Sequence, residues 1–175
     1  SRMIEVLTDE RNNNLLLRGP AGCGKNTLIF TLAALAKRPI RMMSLHASIS
    51  ELDLLYRMSF GEAANGKTGY LLSELLEGGV RGDWIVIDEL NKPKNRGVLS
   101  CLNGILQKKF QTLRDGRTIE FKKEFRAIAL TNPEDGNYVV FSLPVDTASR
   151  FQVIELRYLP FEDEVSLLKE FGPDV

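Results

Sequence analysis

Gly19-Pro20-Ala21-Gly22-Cys23-Gly24-Lys25 fits the pattern G-x-x-x-x-G-K of a phosphate-binding loop. Glycines in such a loop let main-chain N–H groups converge on phosphate oxygens. The helix that follows offers its positive end to the same charge, and the lysine reaches the terminal phosphates. The pattern carries this meaning only between a strand and a helix, and both are legible. Residues 14–18, Asn-Leu-Leu-Leu-Arg, form a short apolar run closed by Gly-Pro. Across residues 25–37, Leu28, Leu32 and Leu35 recur at helical spacing before Arg38-Pro39 stops the segment. The stretch predicts binding of a nucleoside triphosphate by Gly19, Pro20, Ala21, Gly22, Cys23, Gly24, Lys25, Asn26 and Thr27. The eighth position is expected to be Ser or Thr, whose hydroxyl ligates the magnesium of the bound nucleotide, and here it is Asn26. Its carbonyl oxygen can ligate a cation but is neutral and sits on a longer arm, and Thr27 is one residue too far along to point the same way. Binding is expected to survive better than hydrolysis.

A second signature lies downstream. Trp84-Ile85-Val86-Ile87 is continuously apolar, as a central parallel strand is, and Asp88-Glu89 stands at its carboxyl end. After such a loop this reads as a Walker B pair, with Asp88 holding magnesium through water and Glu89 activating the attacking water. Asn132 closes the next strand. It either orients that water or simply starts an Asn-Pro turn. Arg150 is open to two readings, a surface ion pair or an arginine supplied to a neighbour's nucleotide. His46, the one histidine, reads as a strand-end cap, and Cys23 as loop filler or a reactive thiol.

Around these motifs, residues 3–12 read as a helix and Met42, Met43 and Leu45 as a second strand. Residues 48–82 read as mostly helical: Ser50 caps a helix carrying Leu52, Leu54 and Leu55, residues 70–76 form another, and Gly61, Gly66 and Gly69 mark the loop between them. Residues 95–109 form a helix, and residues 111–114 and 117–121 a hairpin turning at Asp115-Gly116. Strands at 125–130 and 151–156, with short helices at 144–149 and 161–171, complete the pattern. Strands alternating with helices predict a three-layer α/β sandwich on a five-stranded parallel sheet, with ligands beyond the carboxyl ends of the strands.

With 175 residues, 43% of them hydrophobic, the chain suffices for one sizeable core. Its 23 basic and 23 acidic side chains cancel, so no global field favours nucleic acid or an anionic membrane, and nucleic acid is not expected as a partner. No apolar stretch approaches the roughly 18–20 residues of a membrane span. Ser1-Arg2-Met3 carries no secretion signal, and two cysteines without C-x-x-C spacing suggest neither disulfides nor zinc. A soluble protein of the cytoplasm or nucleus is expected.

The order of these motifs resembles the AAA+ ATPases, and within them the MoxR-like, midasin and dynein-related branch. The resemblance rests on the Walker pair together with Glu51-Leu52-Asp53-Leu54-Leu55, Gly66-Lys67-Thr68-Gly69, Leu75-Leu76-Glu77-Gly78-Gly79 and Ile87-Asp88-Glu89-Leu90-Asn91-Lys92-Pro93. It continues through Asp115-Gly116-Arg117-Thr118, Thr131-Asn132-Pro133 and Ala148-Ser149-Arg150-Phe151. It implies ATP and magnesium as ligands, with Asn26 and Asp88 at the metal. It also implies a ring with each nucleotide between neighbours, Asn132 as sensor 1 and Arg150 as the arginine finger. Residues 48–70 correspond to an insert in the second helix and residues 110–121 to a hairpin before sensor 1, elements that face the pore or client in that branch. Related proteins remodel protein complexes, often with a partner carrying a von Willebrand factor A domain. The implied division is an α/β core at 1–158 and the start of a truncated helical lid at 159–175. Two functions stay open: an ATPase that remodels a protein complex, or a nucleotide-binding structural module that has lost turnover, as Asn26 suggests.

Overall fold

The computed structural model describes residues 2–8, 14–59, 69–134 and 140–171. Five parallel strands make the central sheet: β1 (Leu15–Arg18), β2 (Ile40–Ser44), β5 (Trp84–Asp88), β8 (Arg126–Thr131) and β9 (Gln152–Glu155). Their order across the sheet is β2-β5-β8-β1-β9. Successive strand residues point to opposite faces, and the three inner strands use both. Leu16, Ile85, Ile87, Ala127 and Ala129 enter one core, whereas Leu15, Leu17, Trp84, Val86, Ile128 and Leu130 enter the other. An apolar run with no polar alternation is therefore what a strand covered on both sides requires.

Helices cover each face. On one side α1 (Arg2–Thr8) brings Met3, Val6 and Leu7, and α2 (Lys25–Leu35) brings Ile29 and Ala33. On the other lie α3 (Glu51–Leu55), α4 (Glu74–Arg81) and α5 (Arg96–Lys108), contributing Leu54, Leu75 and the Val98, Leu99, Leu102, Ile105, Leu106 stripe. Caps set their ends: Ser50 and Asp53 form a capping box on α3, Ser73 Oγ accepts from Leu76 N, and Asn95 accepts from Gly97 N. Gly82, at φ +80°, ends α4 in the left-handed conformation. Two short helices complete the chain, α6 (Val145–Ala148) and α7 (Phe161–Phe171).

The passage expected to be mostly helical contains a hairpin. β3 (Tyr56–Ser59) pairs antiparallel with β4 (Gly69–Leu72), so residues 70–76 are divided between β4 and α4 and are not one helix. Two features favour the strand. Aromatic and β-capable residues here gain cross-strand partners, Met58 opposite Tyr70 and Tyr56 opposite Leu72. On the other face of β3, Arg57 reaches Glu74 and Glu77 at 3.4 and 3.2 Å. The same carboxylates bind Arg41 of β2 at 2.7 and 3.1 Å, and Asp83 adds a third at 2.8 Å. Hydrogen bonding to Asp83, followed by Glu74, raises the Arg41 pKa. Gly61, Gly66 and the rest of the expected loop up to Thr68 lie outside the described residues, as do residues 9–12 of the first expected helix.

The hairpin before β8 is as expected. β6 (Phe110–Thr112) pairs with β7 (Thr118–Glu120), and Gly116, at φ +85°, lies in the turn. Phe121 then packs under α4 so closely that a Cβ on Gly79 would overlap its ring.

Candidate functional site

The strand order brings the site together. β8 lies between β1 and β5, so three loops leave the same edge of the sheet side by side. Gly19 N donates to Thr131 O at 3.2 Å, and Leu90 N donates to Leu130 O at 3.0 Å. The loop from 19 to 25 turns through two left-handed glycines, Gly22 at φ +77° and Gly24 at φ +84°, and Gly24 is the N-cap of α2. Gly19 is required for another reason. A Cβ there would lie 2.9 Å from both Cys23 Sγ and Leu156 O.

Ala21, Gly22, Gly24, Lys25, Asn26, Thr27, Asp88, Glu89 and Asn132 line one cleft of about 350 Å³. The Lys25 ammonium donates to Gly19 O at 2.7 Å, Pro20 O at 2.8 Å and Asn132 Oδ1 at 3.1 Å. It is thus poised within the loop on three oxygens that an incoming phosphate can replace. Asp88 ends β5 and accepts from Glu89 N at 2.9 Å. Glu89 adopts φ +57°, a conformation costly for a residue with a side chain, and its carboxylate meets Lys92 Nζ at 2.8 Å. Asn26 and Thr27 are both exposed and both line this cleft.

The donors suit a hard cation. Asp88 supplies a carboxylate and Asn26 a carboxamide oxygen on the same cleft. Among the described residues no three His, Cys, Asp or Glu side chains gather into a metal cage. Magnesium does not need one, since it keeps several waters and takes its remaining ligands from phosphates and one or two carboxylates.

Arg150 stands apart from this cleft. Leu15 pairs with Gln152 and Arg18 with Glu155, so Arg150 precedes the amino end of β9 while the loop begins beyond the carboxyl end of β1. Four strand residues, roughly 13 Å of rise, separate them. The Arg150 Nε is buried and has no hydrogen-bond partner among the described residues. Its main-chain oxygen accepts from Asn14 Nδ2 at 3.2 Å. His46 pairs with Ser48 at 3.1 Å and is not among the cleft-lining residues.

Sequence reasoning gave no role to three further side chains at the site. Asn91 is 4% exposed, donates to Asn132 O at 3.1 Å, and leaves its Oδ1 without a partner among the described residues. Lys92 holds Glu89. Tyr158, beyond β9, donates to Ala21 O at 2.7 Å. An i,i+3 charge pair in a turn is readable in principle for Lys92, but the other two contacts join distant segments.

The profile of a family described as AAA domain (dynein-related subfamily) matches residues 14–151. Over 191 positions the chain is 26% identical to von Willebrand factor A domain-containing protein 8 of Mus musculus, covering 95% of this chain and 10% of that protein. A Staphylococcus epidermidis protein whose name assigns no function is 30% identical over 168 positions, covering 91% of this chain and 61% of its own. The chain therefore spans less than two thirds of either relative. A solved structure from Cytophaga hutchinsonii, provisionally titled an ATPase, superposes with a TM-score of 0.76 at 21% identity, covering 98% of this chain and 49% of that one. That likeness supports the fold.

Proposed function

The chain belongs to the dynein-related subfamily of AAA domains, and from that premise we propose that it binds ATP with magnesium in the cleft between Lys25 and Asp88 and, assembled in a ring, hydrolyses it to remodel a protein complex. One observation carries the reading: Lys25 Nζ lies 3.1 Å from Asn132 Oδ1 in a cleft that Asp88 and Glu89 also line. Main-chain N–H groups of the loop bind the phosphates, and Lys25 exchanges its carbonyl partners for their terminal oxygens. Asp88 and Asn26 hold magnesium, which when bound neutralises phosphate charge. Glu89 takes the proton of the attacking water, and Asn132 fixes that water relative to Lys25.

Arg150 acts on a neighbour's nucleotide, where a guanidinium stabilises charge as it moves to the leaving phosphate. Its distance from this chain's own cleft and its unpartnered Nε support that role. Residues 1–158 form the nucleotide-binding core, and 159–175 begin a helical lid. The mouse relative's name puts a von Willebrand factor A domain in that protein itself, which supports a working link between this module and such a domain, in the same chain or on a partner. No helix among the described residues is long and apolar enough to cross a membrane.

A phosphate-release assay on the assembled protein, with ATP binding measured alongside, tests the reading. Wild type is expected to exceed Glu89→Gln in release while the two bind ATP equally. Equal, negligible release from both would favour a second reading, a nucleotide-binding structural module, which Asn26 supports.

A further inference from the structure

We propose that Tyr158 is a positioning residue for phosphate binding: its hydroxyl fixes the peptide between Ala21 and Gly22 so that the Gly22 N–H is presented to the incoming anion. The inference rests on the proposed nucleotide site and adds to it a side chain from outside the loop.

The segment that follows β9 runs alongside the phosphate loop. Leu156 N donates to Arg18 O at 2.7 Å, one step beyond the last paired residues of β1 and β9. Leu156 O then lies so near Gly19 that a Cβ there would approach it to 2.9 Å. Two residues on, Tyr158 Oη donates to Ala21 O at 2.7 Å. Neither Leu156 nor Tyr158 is among the cleft-lining residues, and Tyr158 is 61% exposed.

Peptide geometry turns this contact into a statement about the cleft. A trans peptide is planar, with its C=O and N–H directed oppositely, and no peptide bond among the described residues is cis. Gly19 O and Pro20 O both accept from Lys25 Nζ, which lines the cleft. Neither peptide offers a donor to that side: Pro20 has no N–H, and the Ala21 N–H points opposite to Pro20 O. Ala21 O is turned the other way, to a tyrosine outside the cleft, so the Gly22 N–H is directed back towards it. Gly22 lines the cleft and is thus the first loop residue placed to donate a main-chain hydrogen bond to phosphate.

The same peptide is the one most in need of a tether. Gly22 sits at φ +77°, and glycine takes positive and negative φ with similar ease, so the plane before it rotates at little cost. Without Tyr158 the Ala21 carbonyl is free to turn into the cleft, where it would repel the anion. Lys25 exchanges its carbonyl partners for phosphate on loading, whereas the Tyr158 contact lies outside and can persist.

Tyr158→Phe removes the donor and keeps the ring. Titration calorimetry of the full chain with ADP and magnesium is expected to show about fivefold weaker binding by the variant, the effect of one hydrogen bond. Amide hydrogen exchange, followed by NMR with both proteins saturated in ADP, supplies the second readout. Protection of the Gly22 N–H should fall about fivefold, while that of Leu16, buried in β1, should stay unchanged, since only the loop is affected. Failure of wild type to bind ADP at millimolar concentration would overturn the nucleotide reading and this inference with it. Equal ADP affinity in the two proteins, unchanged Gly22 protection, or a loss shared by Leu16 would overturn the role of Tyr158 alone.

Discussion

Lys92 Nζ grips Glu89 Oε1 at 2.8 Å, and the residue it grips holds its backbone at φ +57°. Strain and ion pair therefore converge on the carboxylate assigned to water activation. Strain at such a position is kept where function requires it.

Replacing Glu89 with glycine should separate stability from turnover. Glycine adopts positive φ without steric cost, so Glu89→Gly is expected to raise stability by about 1 kcal/mol, a rise of about 2–4 °C in Tm for a chain of this size. Phosphate release should fall to background. A thermal scan and a release assay on the same preparation check both, and a lower Tm would show that the carboxylate's ion pair outweighs the backbone strain.

Gly19→Ala should damage the loop from the other side. The added methyl meets Leu156 O and Cys23 Sγ at 2.9 Å, and the carbonyl belongs to the backbone that follows β9. Overpacking of this kind costs about 1–3 kcal/mol. ATP affinity is expected to fall at least tenfold, measurable by titration calorimetry, with a lower urea midpoint.

Asn26→Thr restores the hydroxyl that the loop pattern expects. Magnesium-dependent ATP affinity or turnover should rise on the order of tenfold, equivalent to about 1.4 kcal/mol. An unchanged magnesium dependence would mean that Asn26 is not at the metal.

Lys109 offers a pH test unrelated to catalysis. Burial, reinforced by Arg126, lowers its pKa from the ordinary 10.5 to about 8. The folded chain therefore binds fewer protons than the unfolded chain between those values, and stability contributed by this group rises with pH across the window. It is fully present above 10.5 and lost as pH falls to about 8. Urea denaturation from pH 7 to 10 should show that rise, and Lys109→Met should remove it while stabilising the protein at pH 7.

The sheet was legible because strands covered on both faces must be continuously apolar, as Leu15-Leu16-Leu17 and Ile85-Val86-Ile87 are. The phosphate loop was legible because its glycines answer to backbone geometry. The β3–β4 hairpin was not: Tyr56 and Leu72 are paired across an intervening segment, and runs of four residues carry too little periodicity to separate strand from helix. Contacts such as Tyr158 with Ala21, or Asn91 with Asn132, depend on where the chain returns in space. No local pattern encodes them.

Asn14 joins the amino ends of three elements: its amide donates to Arg150 O, and its oxygen accepts from Lys109 Nζ at 3.4 Å and from Ala127 N at 3.4 Å. It begins the strand whose other end becomes the phosphate loop. One carboxamide is thus a tie point: cutting it would release the amino ends of β6, β8 and β9 from the strand that leads into the phosphate loop.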